Sequence, residues 1–128
     1  LRLLLDTRLV LWVSGDLPRL SPIARALIED PDHQPFFSAV NIWEIAIKHA
    51  LDRQDFVAYP HEVRLELIQN GYRELPVSSF HAAAVAGLPN LHRDPLDRLL
   101  VAQAMVEGMT LLTADAQLGS YPGSIRVV

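Results

Sequence analysis

The runs LRLLL, PFFSAV and MTLLT are short, almost wholly apolar, and separated by stretches of helical period. A strand without a polar face has to be covered on both sides, which is the situation of a parallel sheet packed between two layers of helices. The segments fall into that alternation from end to end. LRLLLD is a first strand ending at Asp6, followed by helices over TRLVLWVSG and SPIARALIED, the second with Ser21 as N-cap and Pro22 in its first turn. PFFSAV is the next strand, and NIWEIAIKHAL a helix with apolar residues at Ile42, Ile45 and Ala46. PHEVRLELIQNG is a helix opened by Pro60 and stopped by Gly71, and YRELPV a third strand. SSFHAAAVAGL and PLDRLLVAQAMVEG are helices, the latter stopped by Gly108, with MTLLTAD and SIRVV as closing strands. The expectation is a single domain over residues 1–128, α/β in class, with three α/β/α layers around a parallel sheet of four to five strands.

Such sheets bind ligands beyond the carboxyl ends of their strands, near the point where strand order reverses. Four carboxylates meet that requirement. Asp6 directly follows LRLLL, and Asp115 lies two residues past MTLLT. Glu44 is placed in the first turn of the helix after PFFSAV, and Asp97 in the first turn of the helix after the loop PNLHRD. Each also has a structural explanation. Asn41 and Glu44 spell the N-x-x-E pattern of a capping box, Asp94 with Pro95 reads as an N-cap and first helical residue, and Asp6 and Asp115 could each cap a helix. Capping does not explain why one end of the sheet collects four acids, nor Asp97, whose helix Asp94 already caps. Carboxylates gathered together repel unless a cation joins them, and three or four oxygen donors suit Mg²⁺ or Mn²⁺.

The remaining composition narrows the chemistry. There is no cysteine, which rules out disulfides and thiolate metal sites. His33, His49, His61, His81 and His92 show no paired zinc spacing and read as surface or packing residues, with His92 beside Arg93 the one kept as a substrate contact. No apolar run approaches the roughly 20 residues that span a bilayer. LRLLLD has no cleavage site after it and does not read as a signal peptide, so a soluble cytoplasmic protein is expected. A net charge of −4 argues against phosphate binding driven by overall charge. It leaves open a phosphate chain held through cations on the carboxylates, with arginines lining the approach; ten of the eleven basic residues are Arg.

With LLLDT at the start, SAVNIWEIAIK in the middle, then LHRDPLDRLLVAQA and LLTAD, in that order, the chain resembles the PIN-domain ribonucleases, specifically the VapC-type toxins of type II toxin–antitoxin pairs. The resemblance covers essentially the whole chain. It implies a PIN-like fold and an endoribonuclease using one or two Mg²⁺ or Mn²⁺ ions, held by residues corresponding to Asp6, Glu44, Asp97 and Asp115. These are the acids that the strand-end rule selects. Glu44 is either a ligand, directly or through water, or the base that takes a proton from the attacking water. Asp94 is the capping residue of the DP-x-DR motif, and the hydroxyls of Thr7, Ser38 and Thr113 could support the ligands. Arg93 and Arg98 are candidates for the substrate phosphate, Arg98 with the competing role of ion-pair partner to Asp94 or Asp97. Lys48 faces the same choice between phosphate and an i,i+4 pair with Glu44. Leu96 stands where Phe is common in the motif and the starting Met is absent, neither of which touches the acids.

The resemblance also implies an RNA substrate, a homodimer and a cognate antitoxin. LVLWVSG and IARALIED carry more apolar residues than one small sheet face needs, which suits an interface or a groove for a partner helix. Trp12, Trp43, Phe36, Phe37, Phe56 and Phe80 are otherwise expected in the core. Two other phosphate enzymes place an Asp after the first strand. A haloacid-dehalogenase-like phosphatase wants an acid where Arg8 stands, and a receiver domain wants a late lysine where Lys48 is the only lysine. The alternative from another class is a non-catalytic PIN-like module that binds protein or RNA.

Overall fold

The strands of the sheet run in the order β3-β2-β1-β4-β5, all parallel, so the first strand in the chain lies at its centre. The computed structural model describes residues 1–51 and 58–128; Phe56 lies outside the described residues. The strands are β1 (Arg2–Leu5), β2 (Gln34–Ser38), β3 (Arg73–Leu75), β4 (Thr110–Thr113) and β5 (Ile125–Val127). The helices are α1 (Thr7–Gly15), α2 (Pro22–Glu29), α3 (Ala39–Ala50), α4 (Pro60–Gln69), α5 (Ser79–Ala84) and α6 (Pro95–Glu107). Short 3₁₀ turns follow α1, α5 and β4.

Alternation along the strands assigns their side chains to two cores. Leu4, Phe36 and Leu111 point to one face and pack with Leu100, Val101 and Ala104 of α6. Leu3, Leu5, Phe37 and Leu112 point to the other, against Leu9 and Val10 of α1, Ala24 and Ile28 of α2, and Val63 and Leu67 of α4. Both faces are covered, as the apolar strands require, and the expected three layers with five strands are present. Phe36 and Phe37 are core residues and Trp12 packs at the core's edge. Trp43 and Phe80 are not in the core: they are 55% and 77% exposed, because they sit on the outward sides of α3 and α5.

Helix boundaries follow local chemistry. Ser21 and Asp94 cap α2 and α6, accepting from the N–H groups of Ala24 at 3.1 Å and Leu96 at 2.9 Å. Gly108 ends α6 with φ 66°, a left-handed conformation that glycine adopts without steric penalty. Helix α3 departs from expectation. Ser38, the last residue of β2, is its N-cap, and the capping box joins Ser38 to Asn41 rather than Asn41 to Glu44. The helix therefore begins at Ala39, and Glu44 lies in its second turn, not its first. Among the described residues no helix is long and apolar enough to cross a membrane.

Candidate metal centre

Strand order reverses at β1, whose carboxyl end is flanked by those of β2 and β4. There Asp6, Glu44, Asp97 and Asp115 line one cleft of about 150 Å³ together with Thr7, Arg8, Lys48 and Asp94. Four acids separated by up to 109 positions in the numbering of the chain thus reach one place through the topology of the sheet. Their surroundings differ in one respect that decides what each can do.

Asp6 is only 4% exposed and is gripped on both oxygens. Its Oδ1 accepts the Leu9 N–H at 2.9 Å, which caps α1, and its Oδ2 accepts the Thr113 hydroxyl at 2.6 Å and the Ala114 N–H at 2.9 Å. Burial raises its pKa above the ordinary carboxylate value, against the lowering effect of these bonds and of Arg8. Glu44 accepts the Thr7 hydroxyl at 2.7 Å and pairs with Lys48 at 2.9 Å. Thr7 in turn accepts from Asn41 Nδ2 at 3.1 Å, so a fully buried amide behind the site orients the hydroxyl that holds Glu44. Asp115 caps the 3₁₀ turn through the Gln117 N–H at 3.0 Å and faces His92 Nε2 at 3.2 Å.

Asp97 is the exception. Among the described residues no hydrogen-bond donor reaches it; its nearest positive partner is His92 Nε2, 3.7 Å away, and its side chain is 20% exposed. Burial, then the negative charges of Asp94, Glu44 and Asp6, push its pKa to about 7, with His92 acting in the opposite direction. Among the described residues, donors reach three of the four acids, and the fourth faces negative charge. A divalent cation fits this donor set: oxygens dominate, and Oδ or Nε atoms of His92, Asp97 and Asp115 lie within 4.8 Å of one another.

A pH dependence of stability follows. Asp97 is ionised above about pH 4 when unfolded and above about pH 7 when folded. Below pH 4 the group is protonated in both states and costs nothing. Between these values the folded state binds a proton that the unfolded state does not, so stability falls as pH rises, and above pH 7 the full penalty persists. Urea unfolding in chelator between pH 4 and 8 should show wild type losing on the order of 3 kcal/mol relative to Asp97→Asn. Parallel curves for the two proteins would contradict the assignment.

The supporting residues divide. The Thr7 and Thr113 hydroxyls donate to Glu44 and Asp6, and Asp94, the cap of α6, also lines the cleft. Lys48 makes the i,i+4 pair with Glu44. Ser38 does not face the acids: its hydroxyl donates to the buried Gln103 Oε1 at 2.6 Å, tying β2 to α6. Arg98 is not an ion-pair partner of Asp94 or Asp97. Its guanidinium donates to the carbonyls of Pro89, Val85 and Leu88 and to Tyr121 Oη, anchoring the loop before α6. Arg93 is exposed, on a basin of about 670 Å³ that also touches Asn90, His92, Arg98 and Gln117. Two residues gain weight from the structure. Arg8 lines the cleft two positions after Asp6, a spacing that marks the first turn of α1, and His92 joins the cluster itself, two residues before the cap of α6.

Comparison with known proteins places these features in a family. The PIN domain family model matches residues 3–123. Ribonuclease VapC22 of Mycobacterium tuberculosis is 31% identical over 119 residues, which cover 92% of this chain and 90% of that protein. The fold matches that of VapBC2 from Rickettsia felis bound to a DNA fragment from their promoter, with TM-score 0.74, 13% identity, and 100% and 99% of the two chains covered. It also matches DNA-bound VapBC from Salmonella typhimurium, with TM-score 0.67, 15% identity, and 100% and 97% covered.

Proposed function

Because the chain belongs to the PIN-domain family, we propose that it is a metal-dependent endoribonuclease, the toxin of a toxin–antitoxin pair, with residues 1–128 forming one such domain. The observation that carries the proposal is Asp97, a carboxylate surrounded by three others and given no donor among the described residues. Asp6, Asp97 and Asp115 would hold the ion, with Glu44 a further ligand or a proton acceptor. One ion or two of Mg²⁺ or Mn²⁺ suit a set dominated by carboxylate oxygens. Such an ion, when bound, polarises the scissile phosphate and makes a water a better nucleophile.

The chain's own groups account for the rest. Thr7 and Lys48 fix Glu44 at the cleft wall, so that its carboxylate can receive the proton of an attacking water. Arg8, at the same cleft, and Arg93, on the basin that His92 also lines, would offer guanidinium groups to the negative RNA backbone. Thr113 and the Ala114 N–H hold Asp6 still, which fixes one wall of the site before substrate arrives.

An antitoxin is the second part of the proposal. A groove of about 410 Å³ between α1 and α4 is lined by the apolar Leu11, Trp12, Tyr59 and Val63 and rimmed by Glu62 and Glu66. An amphipathic segment with basic flanks would bury its apolar side there and pair with the rim. A homodimer would cover apolar side chains that stand exposed, Phe80 foremost. With RNA as its substrate, the protein would act in the cytoplasm.

The test is cleavage of a pool of long RNAs by the antitoxin-free chain with Mn²⁺, Mg²⁺ or chelator. Cleavage should need the ion, and Glu44→Gln should slow it by roughly 10²- to 10⁴-fold. Mn²⁺ affinity unchanged in Glu44→Gln would make it the proton acceptor, and a parallel loss would make it a ligand. RNA bound but left intact in every metal would instead identify a non-catalytic binding module.

A further inference from the structure

His92, Asp97 and Asp115 offer three atoms close enough to share one ion, and the simplest reading of that cluster makes the imidazole a ligand. The hydrogen bonds of the ring argue otherwise. The backbone N–H of Asp94 donates to His92 Nδ1 at 3.1 Å. A backbone amide can only donate, so Nδ1 presents its lone pair, and the ring proton resides on Nε2. Nε2 faces Asp115 Oδ2 at 3.2 Å and Asp97 Oδ2 at 3.7 Å, and only the first is within hydrogen-bond reach.

We propose that His92 is a positioning residue: its Nε2–H donates to Asp115 and orients that carboxylate, and the imidazole stays outside the ligand set. The tautomer is set by the chain itself, because the Asp94 N–H that fixes Nδ1 belongs to the cap of α6. Asp115 is then held from both sides, by the Gln117 N–H on Oδ1 and by His92 on Oδ2, and each oxygen retains lone-pair capacity toward a cation. Asp97, with no donor among the described residues, is left to adjust to the ion. The consequence is a ligand set of oxygens alone, which favours Mg²⁺ or Mn²⁺ over Zn²⁺. This role rests on the proposed function only where it assigns Asp115 to an ion.

The test separates the two layers. In the metal-free, ¹⁵N-labelled chain, long-range ¹H–¹⁵N correlation of His92 should show the proton on Nε2; a proton on Nδ1 overturns the proposal. With Mn²⁺ added, pulsed electron paramagnetic resonance should show no directly bound imidazole nitrogen. Gln places an amide donor near Nε2, and Asn places only an acceptor near Nδ1. His92→Gln should therefore bind Mn²⁺ within a few-fold of wild type, and His92→Asn about tenfold more weakly, the loss typical when a ligand's hydrogen-bond partner is removed. A coordinated nitrogen, or His92→Gln no tighter than His92→Asn, contradicts the role. Wild type with the Nε2 proton but no Mn²⁺ binding contradicts the metal reading of the site, while the tautomer and its bond to Asp115 stand.

Discussion

Asp97→Asn should bind Mn²⁺ at least about 100-fold more weakly than wild type, beyond the loss expected for an outer partner, and should cleave no RNA. The same substitution should make the metal-free protein more stable. Asn fills the same space, and no hydrogen bond from the described residues is lost, because none reaches Asp97. The charge that burial, Asp94, Glu44 and Asp6 oppose is removed with it. At pH 7.5 in chelator the gain should be on the order of 3 kcal/mol, a rise in Tm of roughly 10 °C for a chain of this size. Opposite signs for function and stability mark a residue retained for what it binds. A variant that loses stability, or keeps its metal affinity, would show that Asp97 serves the fold.

Asp6 should behave in the reverse manner. Asp6→Ala strands the Leu9 N–H, the Thr113 hydroxyl and the Ala114 N–H in a site that is almost fully buried, and removes the cap of α1. Each unmet buried donor costs about 1–3 kcal/mol, and the Leu9 N–H among them is the one that caps α1. Relief of the buried charge offsets part of this, leaving a net loss of about 3 kcal/mol or more and a Tm lower by roughly 10 °C. Asn does not rescue the position, since one of its two polar atoms is itself a donor and would face a donor. Thermal unfolding in chelator separates the two acids: a negative shift for both Asp6 variants, a positive one for Asp97→Asn. An Asp6→Asn protein as stable as wild type would mean that these bonds contribute little.

The contrast explains what the sequence could disclose. The layered fold was legible because strands such as LRLLL and MTLLT have no polar face to expose. The meeting of Asp6, Asp97 and Asp115 was legible because position relative to a strand end is a matter of topology. Side-chain direction was not. Arg98 directly follows Asp97 and Ser38 ends the strand before the Glu44 helix, but Ser38 turns to Gln103, 65 positions away, and Arg98 to carbonyls of the preceding loop. Glu44 lies one turn later in its helix than the spacing predicts because Ser38 serves both as the end of β2 and as the cap of α3. Trp43 and Phe80 show that hydrophobicity alone does not say which side of a helix meets the core. The weight of His92 depends on a backbone N–H finding its ring, which no spacing announces.

Calorimetric titration of Mn²⁺ into the antitoxin-free chain near pH 6, repeated in buffers of different ionisation enthalpy, counts both the ions bound and the protons they displace. With Asp97 protonated below about pH 7, binding should release close to one proton per ion at an oxygen site that includes this carboxylate, and Asp97→Asn should lose both the binding and the release. Absence of binding by wild type, or equal binding by wild type and Asp97→Asn with no proton released, would contradict a metal centre built on these acids.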